Sequence, residues 1–400
     1  MEAIKLKNKK GYKETKLGWI PEDWEVEKFK NIANFFSGGT PKTTNKQYYK
    51  GDIPFIKSGE IDSIETKEFL SNEGLNNSSA KLIVKGDLLM ALYGANSGEV
   101  AISKMEGAIN QAIICIRSKE NTIYLYNLLL RKKKEIISKY LQGGQGNLSA
   151  NLIKQLSLII PPQKEQKAIA NCLSTWDKAI TKQIQLIRAK QLQKKALAQQ
   201  LLTGNNRLPR FSEEWLSIKG GELFTSISNK NHYGSFQVLS STQDRGVIPR
   251  DLVGINIKFD KKSLINYKKV EVGNFIISLR SFQGGIEYSN YEGLISPAYT
   301  ILKEIRPISK DFYKEYLKTQ DFIKRLNSII YGIRDGKQIS YKEFATLKIL
   351  YPPLKEQKAI AKILTTADKE IKVLQQQLEQ LKLQKKGLMQ LLLTGKKRLV

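Results

Sequence analysis

The chain has 400 residues, with 66 Lys and Arg against 38 Asp and Glu, so its formal net charge is +28 and its isoelectric point is about 9.7. A hydrophobic content of 41% excludes a disordered polyelectrolyte, and no apolar run reaches the ~18 residues of a membrane span. One histidine, His232, and two cysteines, Cys115 and Cys172, argue against a zinc site of N and S ligands, a disulfide framework and catalysis built on several histidines.

The first seven residues, Met1 to Lys7, lack the apolar core of a secretory signal, and with only two cysteines a cytoplasmic protein is expected. Through residue 160, short apolar runs lie between Gly, Asp and Asn: 53–56, 82–84, 87–93 and 112–116 read as strands. Residues 122–141 carry a helical pattern that stops at Gly143-Gly144. A long helical segment follows over 161–206, opened by Pro161-Pro162 and closed by Thr203-Gly204. Residues 207–351 return to the first style, with strands expected at 236–239, 274–279 and 298–302 and a helix near 311–330. A second long helix occupies 352–400, opened by Pro352-Pro353 and closed by Thr394-Gly395. The fold class expected is α+β: two globular heads, each a sheet with helices, separated by two long helices.

The two helical segments are copies of one another. Residues 161–208 align with 352–399 without a gap at an offset of 191, and 27 of the 48 positions are identical. Weaker matches at the same offset, such as Trp24 with Trp215 and Ser149 with Ser340, extend the repeat into the heads. The chain is therefore a head and a helix, twice. In the second helix Ile360, Leu364, Ala367, Ile371, Leu374, Leu378, Leu381, Leu388 and Leu392 form a heptad seam interrupted at Lys385. The first helix places Ile169, Leu173, Trp176, Ile180, Ile187, Leu197 and Leu201 on its seam, with Gln183, Lys190 and Lys194 as polar breaks. About 40 helical residues span roughly 60 Å, too long for one element of an ordinary compact domain. Each helix could pair with another chain or with its own copy, and short connections favour an antiparallel pair with pseudo-twofold symmetry.

Charge is shared evenly, since residues 1–160, 161–208, 209–351 and 352–400 each net +7, which makes the helices the most basic segments per residue. The partner expected is nucleic acid, with an acidic protein surface as the other reading for the helices. Enzyme signatures are missing. Gly143-Gly144-Gln145-Gly146-Asn147 is not a phosphate loop, and neither Pro-Pro pair sits in the tetrapeptide that amino-methyltransferases use. Asp52 with Glu65-Thr66-Lys67 has only the loose spacing of a nuclease triad, and His232 in its polar loop reads as solvated or facing DNA. Glu165 and Glu356 fall in helix first turns, where a carboxylate complements the helix dipole.

The whole pattern resembles the specificity subunit of type I restriction–modification systems. The resemblance rests on Pro-Pro-x-Lys-Glu-Gln-Lys-Ala-Ile-Ala at 161–170 and 352–361 and on the Leu-Leu-Thr-Gly exits. In the first head it rests also on Ser37-Gly38-Gly39-Thr40-Pro41, on 48–56 and on Ser58-Gly59-Glu60-Ile61; in the second, on 238–249 and 279–287. It implies target recognition domains at 1–160 and 207–351, a central helix at 161–206 that acts as spacer, and a distal helix at 352–400. It further implies that each recognition domain reads one half of a bipartite double-stranded DNA site and that the helices dock two methyltransferase (M) subunits. Restriction subunits would join through that core, and methylation and cleavage would be directed by a chain without catalytic residues. S-adenosylmethionine, ATP and Mg2+ would bind the partner subunits, and this chain would hold no cofactor or metal.

Base edges are read by Arg, Lys, Asn, Gln, Ser or Thr on loops held by a rigid sheet. The candidates are Lys42, Thr43, Lys46, Lys57, Ser58, Tyr93 and Asn96 in the first head, and Lys230, Arg245, Arg280, Gln283, Arg334 and Lys337 in the second. Gly38, Gly39 and Pro41 read as turn formers. The rival readings are a stand-alone sequence-specific DNA-binding protein without a methyltransferase, a nuclease using Asp52 and Glu65, and a scaffold with incidental charge.

Overall fold

The structure is a computed structural model that describes residues 10–140, 148–243, 245–254, 261–329 and 339–399. The chain divides into two compact units, Met1–Ile184 with Gln377–Val400, and Gln185–Gln376. Each unit combines one head with part of both long helices, the central helix Gln163–Leu202 and the distal helix Leu354–Leu392.

In the first unit, strand Ile113–Ser118 pairs antiparallel with both Ala33–Ser37 and Leu88–Ala91, and Val100–Ile102 completes that sheet. A second, mixed sheet runs Phe69–Leu70, Ile53–Ile56, Gly107–Ile109, Lys81–Ile83, with the central two strands parallel. Alternate residues of the first sheet face different cores. Leu88, Met90, Ile114 and Ile116 pack with Trp24, Leu128 and Leu173, whereas Leu89, Ala91, Ile113 and Cys115 pack with Ile56 and Ile109 under the second sheet. Helix Thr122–Tyr140 supplies the outer layer, and strand Ser157–Ile160 pairs with Glu25–Lys28 just before the central helix begins.

The second unit repeats this plan. Strand Thr300–Glu304 lies between Phe224–Ile227 and Phe275–Ile277, Lys268–Val270 pairs with Gly293–Ile295, and Lys348–Tyr351 pairs with Leu216–Lys219. The expected strand at 236–239 is displaced to Leu239–Thr242, which forms a hairpin with Gly246–Pro249. The expected helix at 311–330 is two helices, Lys310–Tyr316 and Gln320–Ser328, because the Thr319 side chain caps the second by accepting from Phe322 N–H.

The long helices begin where the prolines place them. The Pro162 carbonyl accepts from the N–H groups of Glu165 and Gln166, and the Pro353 carbonyl accepts from those of Glu356 and Gln357. The Gln166 amide folds back to the Pro161 carbonyl at 2.8 Å, and the Gln357 amide to that of Pro352 at 2.7 Å. Gly395, at φ +71°, closes the distal helix; a Cβ there would also lie 2.3 Å from Pro21 Cδ, so the site needs glycine for both its backbone and its space.

Within each unit the two helices run antiparallel. In the first, Lys385 Nζ donates to Asp177 at 2.5 Å and the Gln183 amide to Gln377 at 3.3 Å. In the second, Lys194 donates to Asp368 and Lys190 pairs with Glu370, both at 2.7 Å. The polar breaks in the heptads are therefore matched across the helix pair. Asp177 and Lys194 correspond in the repeat to Asp368 and Lys385, so one cross-helix bridge occurs once in each unit. Burial pulls Lys194 down, but Asp368 and Glu315 together hold its ammonium above its ordinary range. Ile169, Leu173, Ile187, Leu201, Ile360, Leu364, Ile371 and Leu392 are buried; Trp176, Ile180, Leu197, Ala367, Leu374, Leu378, Leu381 and Leu388 are half-buried.

Candidate nucleic-acid interface

Each head is fixed to the start of its following helix by a buried carboxylate. Glu165 and Glu356 are 1% and 0% exposed. In the first unit Glu165 accepts from Trp24 Nε1 at 2.8 Å and from Arg398 Nε at 2.7 Å, while Arg398 also forks onto Asp23 at 2.9 and 2.8 Å. In the second, Glu356 accepts from Trp215 Nε1 at 2.8 Å and from Arg207 at 2.7 and 2.6 Å. Each guanidinium also lies over its indole, at 5.8 Å for Arg398 on Trp24 and 5.3 Å for Arg207 on Trp215. The carboxylates raise both arginines above their ordinary range, and the Arg398 hydrogen bond holds Asp23 below its own. The sequence signals were present, since Trp24, Glu165 and Arg398 sit opposite Trp215, Glu356 and Arg207 in the repeat. A dipole role for the glutamates understates them.

In the first head, three loops carry the sequence candidates. Lys42, Thr43 and Lys46 are exposed on the segment after strand Ala33–Ser37. That segment is tied down by Thr40 Oγ1 donating to Gln111 Oε1 at 2.6 Å and by Tyr49 O–H donating to the Pro41 carbonyl at 2.8 Å. The turn at 110–112 in turn holds the loop of Tyr93 and Asn96, because Leu92 N–H donates to the Ala112 carbonyl at 2.8 Å. A Cβ on Gly59 would lie 3.3 Å from the Asn96 amide, which places the Ser58 loop beside Asn96. Lys57 is exposed and ion-paired with Glu68. Gly38 shapes this surface from beneath, since a Cβ there would fall 1.7 Å from the Ile109 carbonyl oxygen. Sequence reasoning overlooked Gln111, an exposed amide oriented by Thr40.

In the second head, Arg245, Arg280 and Gln283 are exposed. The Gln243 amide donates to Gln283 at 3.0 Å, joining the end of strand Leu239–Thr242 to the loop of Arg280, and Arg245 donates to the Leu252 carbonyl at 3.0 Å. Lys230 belongs to a different loop, held where Lys269 N–H donates to the Asn229 carbonyl at 2.7 Å. Burial first, and the neighbouring Lys230 second, lower the Lys268 ammonium, whose Nζ donates to the Tyr299 carbonyl at 2.7 Å. Arg334, Lys337 and the glycine-rich stretch at 143–147 lie outside the described residues. His232 corrects the solvated reading. It is buried, its Nδ1 accepts from Gly234 N–H at 3.1 Å, and its Nε2 lies 2.8 Å from the Tyr267 carbonyl, so the ring ties loop to loop. Tyr233 beside it is 99% exposed, a free aromatic face on the Lys230 loop.

Among the described residues no group of three or more His, Cys, Asp or Glu is arranged to hold a metal, and no helix is long and apolar enough to cross a membrane. The surfaces that remain are basic, amide-rich and built on loops over sheets, which suits contact with nucleic acid.

Residues 21–187 and 213–383 each match the type I restriction modification DNA specificity domain, and the chain belongs to that family. Its fold is α+β with two such domains, and the family is one of non-catalytic specificity subunits. Among its relatives is a protein of Methanocaldococcus jannaschii provisionally named the MjaX specificity subunit of a type I restriction enzyme, 27% identical over 98% of both chains. The MjaVIII specificity subunit of the same organism is 25% identical over 94% of this chain and 93% of its own. A solved chain from a study of complex assembly in a type I restriction–modification system has a TM-score of 0.62 at 16% identity, covering 94% of this chain and 99% of that one.

Proposed function

We propose that this subunit reads a bipartite double-stranded DNA site, one half with each head, and holds two methyltransferase subunits that act on it. The observation that carries this reading is the duplication itself. The two heads share a plan but expose different loops, whereas the helix starts keep the same tryptophan–glutamate–arginine anchor. Different readers suit two different half-sites, and like helices suit two copies of one partner. The heptad seam is proposed to pair the helices as an antiparallel coiled coil that sets the spacer, with domains bounded at 160, 206 and 351. The candidates from Lys42 to Asn96 and from Lys230 to Gln283, exposed apart from the half-buried Ser58 and Asn96, are proposed to contact bases and phosphates. S-adenosylmethionine is assigned to the methyltransferase subunits, and ATP and Mg2+ to the partner assembly that adds restriction subunits to this core. The chain acts in the cytoplasm on host and incoming DNA.

The test is an exchange of residues 209–351 for the second head of another family member, followed by base-resolved methylation sequencing. One half of the methylated motif changes and the other half stays. A change in both halves would overturn independent reading by the two heads.

A further inference from the structure

The second head holds a cavity of about 460 Å3 beside the loop of Lys230. Its wall is apolar, made by Phe236, Val238, Pro249, Leu264 and Ile265, and its polar side chains are Gln237, Arg250 and Asp251. The wall is fixed from behind. Arg250 N–H donates to the Val238 carbonyl at 2.9 Å, Leu294 N–H to that of Gln237 at 2.8 Å, and Tyr267 N–H to that of Leu264 at 3.0 Å. Lys269 Nζ lies 4.5 Å over the Phe236 ring and pairs with Glu292 at 2.7 Å, so one face of that ring is already taken. Tyr233 also lines the cavity, and it is 99% exposed. Its backbone is pinned, because buried His232 bonds Gly234 and Tyr267, Asn231 N–H donates to Asn229 Oδ1 at 2.9 Å, and the Asn229 carbonyl accepts from Lys269. A single exposed aromatic ring is ordinary on a protein surface. One held on a pinned loop at an apolar cavity of ligand size is a preformed stacking site.

A base that stays stacked in the duplex offers only its edge to a groove, and edges are met by exposed polar side chains such as Arg280 and Gln283. An edge cannot fill a cavity with an apolar wall and an aromatic rim; a whole ring can. We infer that this cavity takes one nucleobase extruded from the duplex, with Tyr233 stacked on it. This rests on the proposed reading of DNA by the second head and adds a step, the local opening of the site that is read. The surroundings suit such an occupant. Lys230 is exposed on the same loop as Tyr233, where it can hold a phosphate beside the extruded nucleotide. Asp251 is an exposed carboxylate that accepts hydrogen bonds and cannot donate them, so it favours a base with an exocyclic amino group over thymine.

The test is a mismatch scan. The full chain, purified with its methyltransferase subunit, is titrated by fluorescence anisotropy with duplexes that carry the methylated motif and one mismatch at a time in the half read by the second head. A mismatch lowers the cost of extruding a base, so it tightens binding at an extruded position and not at a base read within the duplex. Wild type binds about 10-fold tighter with a mismatch at one position that carries no methyl group; methyltransferases extrude their own target base, so the methylated position is counted apart. Y233A binds the matched duplex about 10-fold more weakly and gains nothing from that mismatch, whereas Y233F keeps both properties. Circular dichroism is the same for all three. No tightening outside the methylated position, or the same tightening in Y233A, would refute the base pocket and leave half-site reading intact. Loss of methyltransferase subunits from Y233A in native mass spectrometry would refute it too, because the cavity would then hold a protein side chain. Equal affinity of wild type for the matched motif and for unrelated DNA would overturn the reading itself.

Discussion

Replacing Glu165 by alanine tests the anchor between the first head and the central helix. Its carboxylate is 1% exposed and meets Trp24 Nε1 at 2.8 Å and Arg398 Nε at 2.7 Å. Trp24 is fully buried, so its N–H would lose its acceptor with no water to replace it, at about 2 kcal/mol. Arg398 keeps its fork onto Asp23 and is 30% exposed, so its loss is discounted to about 1 kcal/mol. The total, about 3 kcal/mol, corresponds to roughly two orders of magnitude in the opening equilibrium of this junction. Hydrogen exchange by mass spectrometry reads it directly: peptides covering 20–28 and 157–170 exchange about 100-fold faster in E165A, and those covering 211–219 and 348–361 do not change. E165Q keeps an oxygen for Trp24 and loses only the charge, so its effect is about 1 kcal/mol. Glu356→Ala gives the mirror result in the second unit. Unchanged exchange in E165A, or equal effects for E165A and E165Q, would refute the anchor.

Three further outcomes follow from the first head. Burial pushes the Asp87 carboxyl up, but the Arg117 fork and the Val84 N–H outweigh it and hold it below the ordinary 3.8. A depressed carboxylate stabilises the fold above its unfolded value and loses that contribution as pH falls through its folded value, so the urea midpoint of wild type drops more between pH 5 and pH 3 than that of D87N. Burial pushes the Cys115 thiol up to about 12, so at pH 8 a thiol reagent modifies at most one cysteine, Cys172, in the native protein and both after denaturation. Gly38→Ala forces a Cβ against the Ile109 carbonyl, and the overpacking costs about 1–3 kcal/mol, a lowered melting temperature in differential scanning fluorimetry.

Much of this was legible because the chain compares itself with itself. The long helices emerged from heptad steps and proline and glycine boundaries, and their observed limits, Gln163–Leu202 and Leu354–Leu392, fall within a few residues of those cues. Strands at Ile53–Ile56 and Ile113–Ser118 stood out as apolar runs between turn residues. What stayed hidden depended on distant partners. Lys190, Lys194 and Lys385 look like defects along one helix and become bridges only when the other helix supplies Glu370, Asp368 and Asp177. His232 looks solvated in its polar loop until Tyr267 and Gly234 take both ring nitrogens. Thr319 breaks an apparent single helix because its hydroxyl competes for the backbone, a choice that periodicity does not register. For base contacts the limit is steeper, because a reading residue is defined by what it meets on DNA and only its exposure is written in the chain.

The most direct measurement of the central claim is base-resolved methylation sequencing of the host genome with and without the gene for this chain. The account predicts that deletion removes methylation at one motif made of two fixed half-sites separated by a fixed spacer, and that restoring the gene returns it. An identical methylome in the two strains, with the methyltransferase subunit expressed, would contradict the account.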